Sequence, residues 1–465
     1  MESAMIPKSD QAKFETNRRR FLQVLGLRAS VPLLGGVEAC SQGGGGALGG
    51  GGGGGKVTEL VIPTAKTPWL DAYRKMAAKY QEQSGIRVTL REFPYDGLFT
   101  QQTNAVQGSS FPFDVFQIDE FGVGQFYSNG WVQPFDAIDP GFTIDSEVLT
   151  YANLPYWDAE KKSSAETGKV MGYPINGNMD LFVYRKDLYE ELGLSVPKTW
   201  EEAISNGRKA VESGKIRYGY VPRAQAAQAG LSVTYEFMPV FYSHGGSWFK
   251  EEGVDWTPTI NSQAGIAAAT TYRELAKIGP EQPQTVGQAE VISLMQGGQA
   301  LQTHVVAAAA SQFLSEDKSQ IAGVVGFAEV PAGPGGTPAP TSGTWSLAIP
   351  AGLPAERATA ALDFIKWVLT DEAQSIFMNA GGIPTRRSAL ASGAESGDGS
   401  AYLKPLQESV EHIKPSIRQP FGPAMAAETE KYLSQIAAGQ VSPAEGMEAL
   451  QSAVTKVVKD AGYLK

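Results

Sequence analysis

Few of the usual reactive side chains are available to this chain. Cys40 is the only cysteine, which excludes a disulfide framework and any site built from several thiolates. His244, His304 and His412 are widely separated, with no His-Glu-x-x-His pair and no close His/carboxylate cluster, so neither a metal site nor a zinc hydrolase is expected. What remains are carboxylates, amides and rings at the ends of apolar runs. Asp119 and Glu120 follow the run 113–118 directly. As neighbours they tend to point in different directions, so both are not expected to touch one partner equally. Asn178 and Asp180 stand two apart before the apolar run 181–184, a spacing that turns both to one side of an extended chain. Tyr235 and Glu236 precede an apolar stretch, and Trp345 follows Gly343 at the start of another. Arg418, a fixed fork of donors, shares a Pro-containing turn with Phe421. Two opposed carboxylates could flank a glycosidic bond, but with 49 acids in the chain such pairs decide nothing by themselves.

A phosphate-binding loop is imitated by Gly50, Gly55 and Lys56. Val57 occupies the position that needs Ser or Thr, and an apolar strand follows where a helix should, so a nucleotide site is rejected. No cofactor motif is present.

Elements must hold these groups in place, and 465 residues are enough for two domains with buried cores. The composition, 42% hydrophobic and 19% charged, is that of a globular protein. A net charge of −10 argues against nucleic acid or an anionic bilayer as partner of the folded body. Strands are predicted over 57–62, 86–93 and 114–118, with helices over 69–84 and 98–107 between them. That β-α-β-α-β order predicts a parallel sheet covered by helices. Further on, strands are predicted over 181–184, 217–221 and 344–349, and helices over 199–213, 262–277, 288–297, 355–369, 372–379 and 443–460. Two α/β lobes are the economical architecture, with ligand expected at the ends of their strands.

The amino terminus reads as an address. Arg18-Arg19-Arg20-Phe21-Leu22 precedes a weakly apolar stretch interrupted by Arg28 and Pro32, too short for a membrane span. It resembles a twin-arginine export signal. Val37-Glu38-Ala39-Cys40 resembles a lipoprotein box in which Cys40 becomes the lipidated terminus, with Glu38 departing from the usual small residue. Residues 41–56 are a glycine-rich tether, spanning about 20 Å root-mean-square.

From about residue 57 onward the chain resembles the extracellular solute-binding proteins of family 1, the group of maltose- and trehalose-binding proteins. The resemblance is carried by collinear segments: Phe113 to Glu120, Asn129-Gly130-Trp131-Val132-Gln133-Pro134-Phe135-Asp136, Gly172-Tyr173-Pro174-Ile175, Leu181 to Leu188, Pro197-Lys198-Thr199-Trp200, Gly343-Thr344-Trp345-Ser346 and Gly382-Ile383-Pro384-Thr385-Arg386. Arg185 departs from the asparagine usual before the Lys-Asp pair, and Ala307 stands where some members have a tryptophan.

The resemblance implies an α/β, two-lobed periplasmic-binding-protein fold of the type II kind. Its lobes would be discontinuous, 57–175 with 321–378 and 180–318 with 382–465, joined by a hinge with the ligand cleft between them. It implies the receptor of an ABC importer, capturing a di- or oligosaccharide and delivering it to permease subunits. The protein would be exported, anchored to the membrane through Cys40, monomeric and not an enzyme. Sugar hydroxyls ask for carboxylates and amides, and sugar faces ask for rings. The expected ligand contacts are therefore Asp119, Glu120, Asn178, Asp180, Tyr235, Glu236, Trp345, Arg418 and Phe421. Two alternatives stay open: a non-sugar solute such as a polyol phosphate, and an exported glycosidase.

Overall fold

A computed structural model describes residues 56–464 except 109, 229 and 398. The export signal, Cys40 and all but the last residue of the tether lie outside the described residues. Among the described residues no helix is long and apolar enough to cross a membrane.

The described residues open with a β-α-β unit of the expected kind. Glu59–Ala65 and Arg87–Phe93 pair in parallel, from Glu59 opposite Arg87 to Ala65 opposite Phe93. A parallel pair needs a crossover, and helix Leu70–Ser84 supplies it, burying Leu70, Tyr73, Met76, Ala77 and Tyr80 at helical spacing. Gly85 ends the helix in the left-handed region, φ 73°, with its N–H on the Gln81 carbonyl.

The third strand departs from the predicted parallel sheet. Phe116–Asp119 pairs antiparallel with Trp345–Pro350, Trp345 opposite Asp119. Before it, Asp114 meets the first strand with a side chain as well as its backbone. Its N–H donates to the Val61 carbonyl at 2.8 Å, and its Oδ2 accepts the Val61 N–H at 2.8 Å. Two 2.6 Å bonds from Arg357 compensate that buried carboxylate. The Trp345–Pro350 strand also pairs with Tyr173–Pro174 and Val132–Gln133.

A second sheet has Asp180–Arg185 at its centre, flanked antiparallel by Gln302–Val306 and Val325–Ala328. The strand predicted over 217–221 is not formed. Tyr218 makes one bridge to Ala300, and Gly219 packs on helix Trp200–Glu212 so closely that a Cβ would lie 2.5 Å from the Gly207 carbonyl oxygen. Spacing could not show that approach.

Two apolar cores form the two lobes. One gathers Leu60, Trp69, Phe116, Phe126, Tyr173, Trp345, Phe364 and Phe377; the other Phe182, Trp200, Phe237, Trp248, Tyr272, Met425 and Leu450. Leu181 belongs to the first and Phe182 to the second, so the chain crosses there. Residues 383–406 contribute Ile383, Leu390, Tyr402 and Leu406 to the first core, whereas Ile417 onward joins the second.

Candidate functional site

Where strand ends from the two cores meet, they leave a cavity of about 630 Å³. One wall is aromatic. Trp345 opens its strand in register with Asp119, and its ring meets Trp69 at 6.2 Å and Tyr95 at 6.0 Å, both edge-on. Trp69 comes from the turn after the first strand, beside Lys66 and Thr67, which also line the cavity. Asp119 caps helix Glu120–Ser128, its Oδ1 accepting the Phe121 N–H at 3.4 Å. Burial pushes its carboxyl up to about 6, opposed by the Tyr95 hydroxyl, the cap and the Arg223 charge.

The facing wall is built by Arg223, Leu231, Tyr235 and helix Gln288–Gln296, which contributes Gln288, Ser293 and Gln296. Arg223 is buried and oriented: Nε donates to Ser232 Oγ at 3.2 Å and Nη2 to the Leu231 carbonyl at 2.8 Å. The Tyr235 hydroxyl donates to the Thr341 carbonyl at 3.1 Å. Gly343 lies between these walls because nothing larger fits: a Cβ there would sit 2.7 Å from the Tyr235 hydroxyl and 2.9 Å from Asn178 Nδ2.

Asn178, Asp180 and Glu120 tie the crossing strands together. Asn178 Oδ1 accepts the Ala308 N–H at 3.0 Å, and its carbonyl accepts the Gly343 N–H at 2.9 Å. Asp180 Oδ2 accepts the Thr341 N–H at 3.0 Å. Glu120 joins two further segments, accepting the Ser342 hydroxyl at 2.6 Å and the Ser416 N–H at 3.1 Å, with Arg418 at 3.5 Å. Burial drives its carboxyl up to about 7 against the pull of Arg418. Asp180, also buried, has its carboxyl held well above the carboxylate range by desolvation.

The family model for bacterial extracellular solute-binding proteins matches residues 66–375, two-thirds of the chain. The chain belongs to that family. A mannitol-binding protein of Pseudomonas aeruginosa is 22% identical over 384 residues, 78% of this chain and 83% of the relative. A probable amino-acid ABC transporter periplasmic-binding protein of Sinorhizobium fredii is 26% identical over 332 residues, 69% of this chain and 70% of that one. Among solved structures, a solute-binding protein of Agrobacterium radiobacter in complex with ribitol superposes with a TM-score of 0.73 at 22% identity, covering 86% of this chain and 99% of the other. The two-lobed periplasmic-binding-protein fold is therefore shared.

In this solute-binding protein, Asp119, Glu120, Asn178, Tyr235 and Trp345 line the cavity together. Four other residues expected there are placed elsewhere. Phe421 is in the second core, ringed by Phe249, Trp256 and Tyr463 at 5.7, 5.5 and 5.1 Å. Arg418 spends its donors on Glu120 and on the carbonyls of Tyr151 and Ala152. Those two residues and Asn153 all have left-handed φ, of 46°, 54° and 70°, and the first two present their carbonyls to one guanidinium. Asp180 lies behind the lining on the crossing strand, so the expectation that period two turns it into the cleft together with Asn178 is met by Asn178 alone. Glu236 is fully buried against His304, whose Nδ1 is 3.5 Å from its Oε1. His304 donates Nε2–H to the Glu236 carbonyl at 2.7 Å and accepts the Tyr220 hydroxyl at Nδ1. Burial holds its pKa down to about 4.

Sequence reasoning missed Trp69, Tyr95, Arg223 and the 288–296 helix face. Trp69 carried a signal, since it follows a parallel strand at its C-terminal end, where α/β sheets bind ligands. Tyr95 carried the same signal, two residues past the parallel strand Arg87–Phe93; Arg223 had none, being one cation among many.

Proposed function

We propose that this protein captures a small hydroxylated solute, a polyol or a sugar up to disaccharide size, between its two lobes and delivers it to ABC permease subunits. The observation that carries the reading is the meeting, in one cavity, of the Trp345, Trp69 and Tyr95 rings with the polar groups of Asp119, Asn178 and Arg223. Rings cover the C–H faces of such a solute, and a carboxylate, an amide and a guanidinium pair with its hydroxyls. The cavity, about 630 Å³, equals about twenty waters at about 30 Å³ each. That volume favours a compact ligand over a long oligosaccharide. The names of the mannitol-binding relative and the ribitol complex point the same way.

In this reading the first lobe is formed by residues near 57–175 and 345–378, extended by 383–406, and the second by 180–330 and 417–464. The expected placing of 321–330 in the first lobe is corrected, because Ile321, Val325 and Val330 belong to the second core and Val325–Ala328 pairs with Asp180–Arg185. The first core's inclusion of Leu390 and Leu406 supports the extension. The protein is exported as a monomer, held by a lipid at Cys40 and the glycine tether, and returns its solute chemically unchanged.

A second reading, an amino acid, is favoured by Arg223 and Asp119 facing one cavity and by the name of the Sinorhizobium relative. A thermal-shift screen with ribitol, D-mannitol, maltose and the common amino acids separates the two, because a ligand of the native state raises its melting temperature. The proposal expects a shift with a polyol or sugar. A shift only with amino acids replaces it by the second reading, and breakdown products of maltose in the sample overturn both.

A further inference from the structure

Helix Gly422–Ala437 does not line the cavity, yet it grips the segment that does. Glu430 is 1% exposed. Its Oε1 accepts the N–H of Ser232 at 2.8 Å and of Thr234 at 3.0 Å, and its Oε2 accepts the N–H of Ala227 at 2.6 Å. On the same helix face the Thr234 hydroxyl donates to Thr429 at 2.8 Å, and Ser434 donates to the Ala224 carbonyl at 2.8 Å. Three backbone donors converging on one side chain need two acceptor oxygens, which a carboxylate has and an amide lacks.

The gripped segment follows Arg223 directly and supplies the acceptors that orient it. Arg223 Nε is bonded to the hydroxyl of Ser232, whose N–H Glu430 holds, and Nη2 to the carbonyl of the preceding residue, Leu231. The segment also touches the opposite wall. The Leu231 N–H donates to the Tyr95 hydroxyl at 3.4 Å, and Gly230, φ 99°, passes so close to the Tyr95 ring that a Cβ would lie 2.5 Å from it. The Arg223 charge is felt by Asp119 on one side and by Asp180 and Glu236 on the other, so its placement sets the charge balance of the site.

We propose that Glu430 is the positioning residue for Arg223: by fixing the backbone of Ala227, Ser232 and Thr234, it holds the guanidinium in the cavity wall where solute meets it. The proposal rests on the reading of the cavity as the solute site, and two measurements on the full chain keep the two claims apart.

The first needs no ligand. Hydrogen exchange followed by mass spectrometry should show peptides covering 224–234 exchanging at least about tenfold faster in Glu430→Gln than in wild type, while peptides of helix Leu70–Ser84 are unchanged. Unchanged exchange over 224–234 overturns the proposal. The second is a double-mutant cycle on dissociation constants for D-mannitol, ribitol and maltose. Glu430→Gln should weaken whichever probe binds by at least about tenfold in the wild-type background and by less than about twofold in Arg223→Met. Equal losses in both backgrounds would show that Glu430 acts as general scaffolding. Should Glu430→Gln exchange faster everywhere, Ser232→Ala, which removes only the Arg223 acceptor, carries the same cycle. It should weaken binding about threefold or more in wild type and not at all in Arg223→Met, and equal losses refute the link. A wild type that binds none of the three probes contradicts the carbohydrate reading, and the exchange arm still decides the positioning.

Discussion

Replacing Trp345 by alanine tests whether the aromatic wall is a binding surface or simply core. A tryptophan contributes 150–250 Å² of contact area. The Trp345 ring has Trp69 and Tyr95 against it edge-on and is 6% exposed, so only about 15 Å² of it is open to a solute, worth about 0.4 kcal/mol by area. Truncating an aromatic anchor in a desolvated pocket also removes the wall the ligand packs on, and costs about 2 kcal/mol, or about thirtyfold in the dissociation constant. Most of the ring belongs to the fold, and truncation costs about 3–5 kcal/mol of stability. Binding must therefore be titrated calorimetrically well below the variant's melting temperature. Trp345→Phe keeps a ring and should lose about fivefold or less, near 1 kcal/mol. A folded Trp345→Ala protein that binds the wild-type ligand within threefold would refute the reasoning and return Trp345 to the core.

Three further predictions concern the framework around that wall. Glu120 titrates at about 7 in the folded chain against 4.5 when unfolded, so between those values the folded state holds a proton that the unfolded state has lost. Its contribution to stability therefore falls as pH rises from 4.5 to 7, by about 3 kcal/mol, whereas His304, depressed to about 4, acts oppositely and loses stability as pH falls below 6.5. Subtracting the urea-unfolding free energy of Glu120→Gln from that of wild type at each pH isolates the first term, and a difference flat with pH would contradict it. Asp180→Asn should bind ligand within threefold of wild type, since Asp180 serves the Thr341 N–H from behind the lining, while Asp180→Ala should cost about 1–3 kcal/mol of stability. A tenfold loss of affinity in Asp180→Asn would make Asp180 a ligand contact. Gly124→Ala drives a Cβ into the backbone of Arg418 and Gln419 and should lower the urea-unfolding free energy by about 1–3 kcal/mol; an unchanged midpoint would show that this contact can give way.

Much of the fold was legible because strong local patterns coincide with elements. Helix Pro443–Asp460 has Ser442 as its cap, Glu445 completing the box and a proline at its start, and the sequence reading matches it residue for residue. Helices Arg387–Glu395 and Ser400–Ser409 escaped it because glycines and a proline interrupt their apolar spacing. The parallel arrangement was over-extended because nothing in the run 113–118 says that residues 345–350, more than two hundred positions away, compete for its edge. In the site, position at a strand end selected Asp119 and Trp345, which are cross-strand neighbours. Strand ends cannot say whether a polar side chain faces the cleft or a backbone donor. Asp180 and Glu120 hold N–H groups of other segments, and Arg418 holds carbonyls. Phe421 was misplaced because a ring beside a turn serves a core as well as a cleft.

A crystal structure of the protein grown with the solute that raises its melting temperature tests the central claim most directly. The account predicts one intact solute molecule between the lobes, its faces against Trp345 or Tyr95 and its polar groups on Asp119, Asn178 or Arg223. Solute density elsewhere on the molecule, with this cavity holding only water, would contradict it.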